Sequence, residues 1–124
     1  MSDDKPRSDA YRSGQVYAVL EVLRRLGGVP GGPRFGDEDV RRNASRRPLH
    51  VMAEPFLMLG KCYGWARRKD RVAADTLLRS LPDLMPLATK GDPFPGSLTD
   101  DQQAGFLQGR LDQLEAIAEK TGVR

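Results

Sequence analysis

The chain has 124 residues, a length typical of one domain built around one hydrophobic core. Its 39% hydrophobic and 30% charged residues exclude a collagen-like or a strongly charged disordered chain. One cysteine excludes an intramolecular disulfide and any cysteine-rich zinc module. No apolar run reaches the roughly 18 residues of a membrane span, and the acidic N-terminus lacks a signal-peptide pattern. We therefore expect a cytoplasmic protein without membrane contact.

The net charge of +3 is distributed unevenly along the chain. Residues 1–40 carry −1, residues 41–71 carry +7 and residues 72–124 carry −3. Positive charge concentrated in one part of a chain is typical of proteins that contact phosphate groups. The charge distribution therefore predicts a phosphate-bearing partner for residues 41–71.

The first helix is predicted to follow Ser8, its N-cap, and to end at Gly27-Gly28. Its helical spacing predicts one apolar stripe, formed by Val16, Val19, Leu20, Leu23 and Leu26. Glu21 is expected on the outer side of this helix, paired with Arg24 or Arg25. Residues 1–7 are predicted to be disordered, and residues 27–36 to form a loop because they are rich in glycine and proline.

A short helix is predicted at Asp37-Glu38-Asp39, where acidic residues precede basic ones along the helix dipole. The second long helix is predicted to begin near Ser45, with Pro48 in its first turn. Its apolar seam is predicted to comprise Leu49, Met52, Phe56, Leu59, Tyr63 and Ala66. Because Pro55 lies inside this helix, we expect a kink or break near residues 51–54.

A third helix is predicted after its cap Asp70, with apolar positions at Val72, Ala73, Leu77, Leu78 and Leu81. Pro82 and Pro86 are expected to break the following segment into shorter turns, and residues 91–96 to form a second loop. The last helix is predicted to begin with a capping box, Thr99 with Gln102, and to end at Gly122. Its buried seam is predicted to comprise Leu107, Leu111, Leu114 and Ala118.

Gly105 and Gly109, four residues apart on this last helix, predict close helix packing or weak helix positions. No segment shows the alternation of a strand. The predicted fold is therefore all-α, a four-to-five-helix bundle that forms a single domain over residues 8–124.

The residues offer little support for catalysis. His50 and Cys62 are the only candidates for a nucleophilic pair, and twelve residues of continuous helix would separate them by about 18 Å. Cys62 is better interpreted as a small core residue, and His50 as a residue near a helix start. The acidic pairs and triplets lie at predicted helix starts, where they stabilise a helix without a metal. We expect no enzyme activity, no cofactor, no metal and no small-molecule substrate.

The positive segment supplies the candidate nucleic-acid-binding residues: Arg41, Arg42, Arg46, Arg47, Lys61, Arg67, Arg68, Lys69 and Arg71. Seven of the nine are arginine, whose planar fork matches phosphate oxygens, and only Glu54 and Asp70 offset them locally. Arg67 to Lys69 have another explanation, because cations near the C-terminus of a helix interact favourably with the helix dipole. Phosphate-backbone contact is the favoured interpretation for the cluster as a whole.

Three segments in order resemble the C-terminal helical region of the type I-C CRISPR Cascade large subunit. They are Tyr11-x-x-Gly14-x-x-x-Ala18-Val19-Leu20-Glu21, then Ala44-Ser45-x-x-Pro48, then Leu98-Thr99-Asp100-Asp101-Gln102-Gln103-Ala104-x-Phe106-x-x-Gly109-x-x-x-Gln113. Ala104 stands where that family usually has glycine, and Arg110-Leu111-Asp112 replaces a more aromatic sequence. These departures leave the subtype open, with a type IV effector small subunit as an alternative relative.

In that family this region also exists as a separate polypeptide, the small subunit of the effector complex, and a chain that begins at its own Met resembles that case. The resemblance implies a non-catalytic helical bundle that stacks in several copies along the crRNA-bearing backbone. Its implied partners are crRNA, target DNA or RNA, other effector subunits and neighbouring copies of itself. Contact with the guide–target duplex and the displaced strand would run through a basic surface.

Two other classes of function stay open. One is a helix-turn-helix regulator that binds an operator as a dimer, although a recognition helix after a short turn is not evident in the sequence. The other is a helical protein-interaction adaptor whose arginines bind acidic protein surfaces.

Overall fold

The computed structural model describes residues 7–28, 34–86 and 92–123. These residues form six helices: α1 (Asp9–Gly27), α2 (Glu38–Arg46), α3 (Pro48–Leu57), α4 (Leu59–Lys69), α5 (Arg71–Leu84) and α6 (Asp100–Thr121). They contain no strand, which confirms the all-α prediction. Disorder was predicted for residues 1–7, of which all but Arg7 lie outside the described residues. Residues 29–33, half of the first predicted loop, and Gly91 of the second also lie outside them.

Helix α1 is the centre of the bundle. Every side chain from Ser13 to Leu23 is buried, because α4, α5 and α6 all pack against this helix. The residues of the predicted stripe all belong to the core or pack against it, but burial extends beyond that stripe, since a helix enclosed on several sides buries its whole circumference. The predicted ends are confirmed: Ser8 Oγ accepts a hydrogen bond from the Tyr11 amide, and Gly28 closes the helix at φ 63°.

Aromatic rings fill the core beside α1. The ring of Tyr17 stacks on that of Phe35 at a centroid distance of 4.4 Å and meets Phe106 edge-on at 5.6 Å. The Tyr17 hydroxyl donates a hydrogen bond to the Phe35 carbonyl, which satisfies its one polar atom inside the core. Residues from α1, α6 and the segment before α2 are thereby joined in one apolar cluster.

The predicted second long helix is two helices, separated at Met58 rather than near residues 51–54. Pro55 lies within the last turn of α3, which continues past it to Leu57. The helix is interrupted at Met58, whose φ of −89° and ψ of 9° are those of a turn. The whole predicted seam nevertheless faces the core, because Met52 and Ala66 are core members and Leu49, Phe56, Leu59 and Tyr63 pack against it.

Helix α5 begins as predicted, with the Asp70 carboxylate accepting a hydrogen bond from the Ala73 amide at 3.1 Å. The expected break at Pro82 was wrong, because α5 continues through it to Leu84 and ends just before Pro86. Leu81 and Leu84 are both buried on either side of the proline, and this packing holds the last turn in place. Val72, predicted to be an apolar contact, is exposed instead.

Helix α6 has the predicted capping box and the predicted end at Gly122. Its predicted buried seam was right at Leu114, which packs against the core, and wrong at two other positions. Leu107 and Leu111 are exposed, and the buried positions are Phe106, Gly109, Gln113 and Ile117. The reason is the close approach of α1: a Cβ atom at Gly109 would lie 2.1 Å from the Tyr11 carbonyl oxygen. A seam that includes glycine and glutamine cannot be found by counting apolar residues.

Candidate nucleic-acid interface

The nine candidate basic residues lie mainly at two junctions between helices. We call Arg41, Arg42, Arg46 and Arg47, on α2 and at the start of α3, the α2–α3 basic corner. We call Arg67, Arg68, Lys69 and Arg71, at the end of α4 and the start of α5, the α4–α5 basic corner. Lys61 lies between them, near the start of α4. All nine side chains are exposed except that of Arg41, which is half-buried.

The α2–α3 basic corner is anchored by backbone hydrogen bonds to the segment before α6. The Leu98 amide donates to the Arg46 carbonyl at 2.9 Å, and the Leu49 amide donates to the Pro95 carbonyl at 3.0 Å. Arg47 is the single residue between α2 and α3. The backbone of Arg46 and Arg47 is thus held in place while both side chains stay exposed.

Two arginines of this corner already have partners within the chain. Arg42 forms ion pairs with Glu38 at 2.9 Å and with Asp39 at 3.5 Å. Arg41 donates a hydrogen bond to the Gly36 carbonyl at 3.4 Å. The prediction that only Glu54 and Asp70 offset the positive charge was therefore wrong, because one helical turn brings Glu38 and Asp39 beside Arg42.

The α4–α5 basic corner is held by polar contacts between its two helices. Asp70 is the one residue between α4 and α5 in the chain, and its carboxylate caps the N-terminus of α5. The Tyr63 hydroxyl of α4 donates a hydrogen bond of 2.5 Å to Asp75 of α5, and Arg71 lies 3.9 Å from the same carboxylate. The hydrogen bond to Asp75, together with desolvation, raises the pKa of Tyr63.

Six of the nine side chains form no ion pair and no side-chain hydrogen bond with any residue that the structure describes: Arg46, Arg47, Lys61, Arg67, Arg68 and Lys69. Arg67, Arg68 and Lys69 lie in the last turn of α4, where they complement the negative end of the helix dipole. Exposed arginines on a fixed backbone can form paired hydrogen bonds with phosphate oxygens. The arrangement therefore favours contact with a phosphate backbone.

The aromatic side chains are not placed to stack on bases. All eight lie in the described residues; Tyr17, Phe35, Phe94 and Phe106 are buried, and Tyr11, Phe56, Tyr63 and Trp65 are half-buried. Base stacking on a protein requires exposed rings. The described surface thus offers cations for phosphates but no ring platform for bases.

The two residues considered for nucleophilic chemistry lie on different helices and differ in burial. His50 is exposed on α3, whereas Cys62 is buried on α4, with the Arg24 guanidinium 3.8 Å from its sulfur. The break at Met58 means that the continuous helix assumed for their separation does not exist. Over the described ranges, no group of three or more His, Cys, Asp and Glu side chains is arranged to hold a metal ion. No helix there has both the length and the apolarity to cross a bilayer.

Sequence reasoning missed the buried polar contact that joins α1 to α6. Glu21 is only 5% exposed, and its carboxylate accepts two hydrogen bonds from Arg110. The expected pairing with Arg25 is confirmed as an ion pair of 3.8 Å, but Glu21 is buried and does not face the outer side. The signal in the sequence was an acidic residue within the apolar run of residues 16–23, which requires a base as partner if it is buried.

Comparison of the chain with known protein families, with curated proteins and with solved structures found no match to any of the three.

Proposed function

We propose that the chain is a non-catalytic subunit of a CRISPR effector ribonucleoprotein that contacts nucleic-acid backbones through its two basic corners. The observation that carries the proposal is the set of six exposed cations without partners among the described residues. The sequence resemblance supplies the type of complex. The subunit would stack in several copies along the crRNA-bearing backbone and touch the guide–target duplex and the displaced strand.

The mode of contact follows from the chemistry of the surface. Arginine and lysine neutralise phosphates irrespective of sequence, whereas base reading needs groups aimed into a groove or exposed rings. Binding by one copy would be weak and sensitive to salt, because it depends on the release of counterions. Several copies along one nucleic acid would strengthen binding through effective concentration.

The helix-turn-helix alternative receives no support from the helix junctions. The turn of that motif has three to four residues. The α2–α3, α3–α4 and α4–α5 junctions each contain one residue: Arg47, Met58 and Asp70. None of these three junctions leaves room for that turn.

The proposal is tested by the charge-reversal variant Arg67→Glu/Arg68→Glu, with binding of a labelled DNA duplex followed by fluorescence anisotropy at several salt concentrations. We expect weaker binding at low salt and a salt slope reduced by about two, because two phosphate contacts are lost. The matched control is Arg79→Glu/Lys120→Glu, which changes the net charge equally at exposed residues outside both corners. An equal loss of duplex affinity in the two variants would contradict an interface localised at the basic corners.

The assignment to a CRISPR complex needs a separate experiment. We expect the tagged chain, expressed in its own cells, to co-purify with a crRNA and the backbone subunit that binds it. Sequencing of the bound RNA identifies a crRNA by its repeat-derived ends. Recovery of unrelated RNA, or of no RNA, would contradict membership of a CRISPR complex. The duplex experiment tests the phosphate contact independently of this result.

A further inference from the structure

Helix α6 has a second apolar stripe that the bundle does not bury. Its inward side packs against α1 through Phe106 and Gly109. Its outward side carries Leu107 and Leu111, which are 37% and 55% exposed, and one turn earlier the exposed Ala104. Single exposed leucines are common, but these positions are adjacent on one helical face. The stripe is therefore a continuous apolar surface without a partner in the described residues.

Acidic residues surround this stripe. Asp100 and Asp101 are exposed at the N-terminal end of α6. Glu115 and Glu119 follow Leu111 by four and eight positions, so they continue the same face, and both are exposed. The surface therefore has a sign opposite to that of the two basic corners, and it repels phosphate.

The basic residues of α6 do not cancel this charge. Arg110 is turned toward α1, where its guanidinium is held by Glu21. Lys120 is the other base of α6 and lies in its last turn, beyond the two leucines. Asp112, at the edge of the face, accepts hydrogen bonds from Tyr11 and Gln108.

We propose that the α6 outer face, formed by Ala104, Leu107, Leu111, Glu115 and Glu119, binds a helix of another protein whose apolar stripe is flanked by lysine and arginine. Such a helix would place its apolar residues on the two leucines and its cations against the glutamates and the N-terminal aspartates. The contact is a protein interface additional to the proposed nucleic-acid contact and does not rest on it.

The part of a second copy that the structure describes does not offer this complement. Of the described residues outside α6, the exposed large apolar ones are Leu57, Met58 and Val72. Val72 follows Arg71 but has no apolar neighbour one turn away, since Thr76 comes next on its face. Leu57 and Met58 lie at the α3–α4 turn rather than along a helix face. Because no described helix of this chain combines basic residues with an exposed apolar stripe, the complement is a helix of a different chain.

The test uses the full chain and a labelled synthetic helical peptide with a leucine stripe flanked by lysine, with affinity measured by fluorescence anisotropy. A peptide of the same composition in scrambled order retains the charge but lacks the stripe. We expect the striped peptide to bind at least about tenfold more tightly than the scrambled one. We expect Leu107→Ser/Leu111→Ser and Glu115→Lys/Glu119→Lys each to weaken binding of the striped peptide about tenfold or more.

Leu57→Ser is the matched control, because Leu57 is 82% exposed and does not belong to α6. It should leave peptide affinity unchanged, and circular dichroism should show native helix content for every variant. Unchanged affinity in Leu107→Ser/Leu111→Ser, or equal affinity for the scrambled peptide, would overturn the proposal. Concentration-dependent self-association of the wild-type chain in sedimentation, abolished by Leu107→Ser/Leu111→Ser, would assign the face to a second copy and would also overturn it.

Discussion

The guanidinium of Arg110 on α6 donates two hydrogen bonds to the carboxylate of Glu21 on α1, at 2.8 and 3.0 Å. Both side chains are almost enclosed, with exposed fractions of 12% and 6%. A buried pair with this paired geometry satisfies the charges that helix packing has removed from water. It also favours one register of α6 against α1, because a slip by one turn would leave Arg110 without its carboxylate and Glu21 with only Arg25, 3.8 Å away on its own helix.

Loss of either charge of this pair is expected to be strongly destabilising. Arg110→Met leaves the buried Glu21 carboxylate with only the more distant Arg25 guanidinium, 3.8 Å away, and we expect it to lower the free energy of unfolding by about 3 kcal/mol. The double variant Glu21→Leu/Arg110→Met removes both charges and should be less destabilised than Arg110→Met. Urea denaturation measures the free energy of unfolding of the single and the double variant. A double variant at least as unstable as the single one would contradict this explanation.

The α1–α6 contact also depends on two glycines. A Cβ atom at Gly14 would lie 1.9 Å from the Phe106 carbonyl oxygen, and one at Gly109 would lie 2.1 Å from that of Tyr11. Gly14→Ala and Gly109→Ala must push the helices apart, and we expect each to cost about 3 kcal/mol of unfolding free energy. Gly105→Ala is the control, because its Cβ atom meets Ala10 at an ordinary 4.0 Å. The control should be neutral or more stable in thermal unfolding, since alanine favours helix.

Alkaline pH is expected to destabilise the bundle through its three tyrosines. Burial of Tyr17 raises its pKa above the ordinary value of 10.0, and the pKa values of Tyr11 and Tyr63 are also raised. Each tyrosine whose pKa is higher in the folded state stabilises that state while its hydroxyl is protonated. This contribution is fully present below about pH 10 and is lost as pH rises through the folded-state pKa. Unfolding free energy measured against pH should therefore fall above about pH 10.

Tyr63→Phe provides the control for this pH dependence. It removes the hydroxyl that donates to Asp75, so it should reduce the alkaline loss of stability while keeping the ring in place. An unchanged alkaline profile in this variant would show that Tyr63 does not contribute to the loss.

The arginines of the α2–α3 basic corner are expected to differ in their contribution to nucleic-acid binding. Arg46→Gln/Arg47→Gln removes two exposed cations without partners among the described residues and should weaken duplex binding at low salt about tenfold. Arg42→Gln should have a smaller effect per residue, because Glu38 and Asp39 already neutralise that side chain. Filter binding or fluorescence anisotropy compares the duplex affinities of the variants. A larger loss of affinity per residue in Arg42→Gln would contradict the contact of Arg46 and Arg47 with the nucleic acid.

Local signals in the sequence were sufficient to predict five of the helix ends. Ser8, Asp70 and Thr99 accept hydrogen bonds from amides three residues ahead, and Gly28 and Gly122 adopt the positive φ that ends a helix. These interactions span a few residues, so the sequence around each one contains all the information needed. The prolines were predicted less well, because packing of Leu81 and Leu84 on the core outweighs the hydrogen bond lost at Pro82.

The sequence by itself determined that the chain is helical, where α1, α5 and α6 begin, where α1 and α6 end, and that its positive charge is concentrated in residues 41–71. Only the tertiary structure decided which face of α6 is buried, which base neutralises Glu21 and which arginines remain exposed without a partner among the described residues. The physical reason is distance along the chain. Capping and helical periodicity act within one or two turns, whereas burial and ion pairing depend on residues such as Glu21 and Arg110, which come together only when α1 and α6 pack.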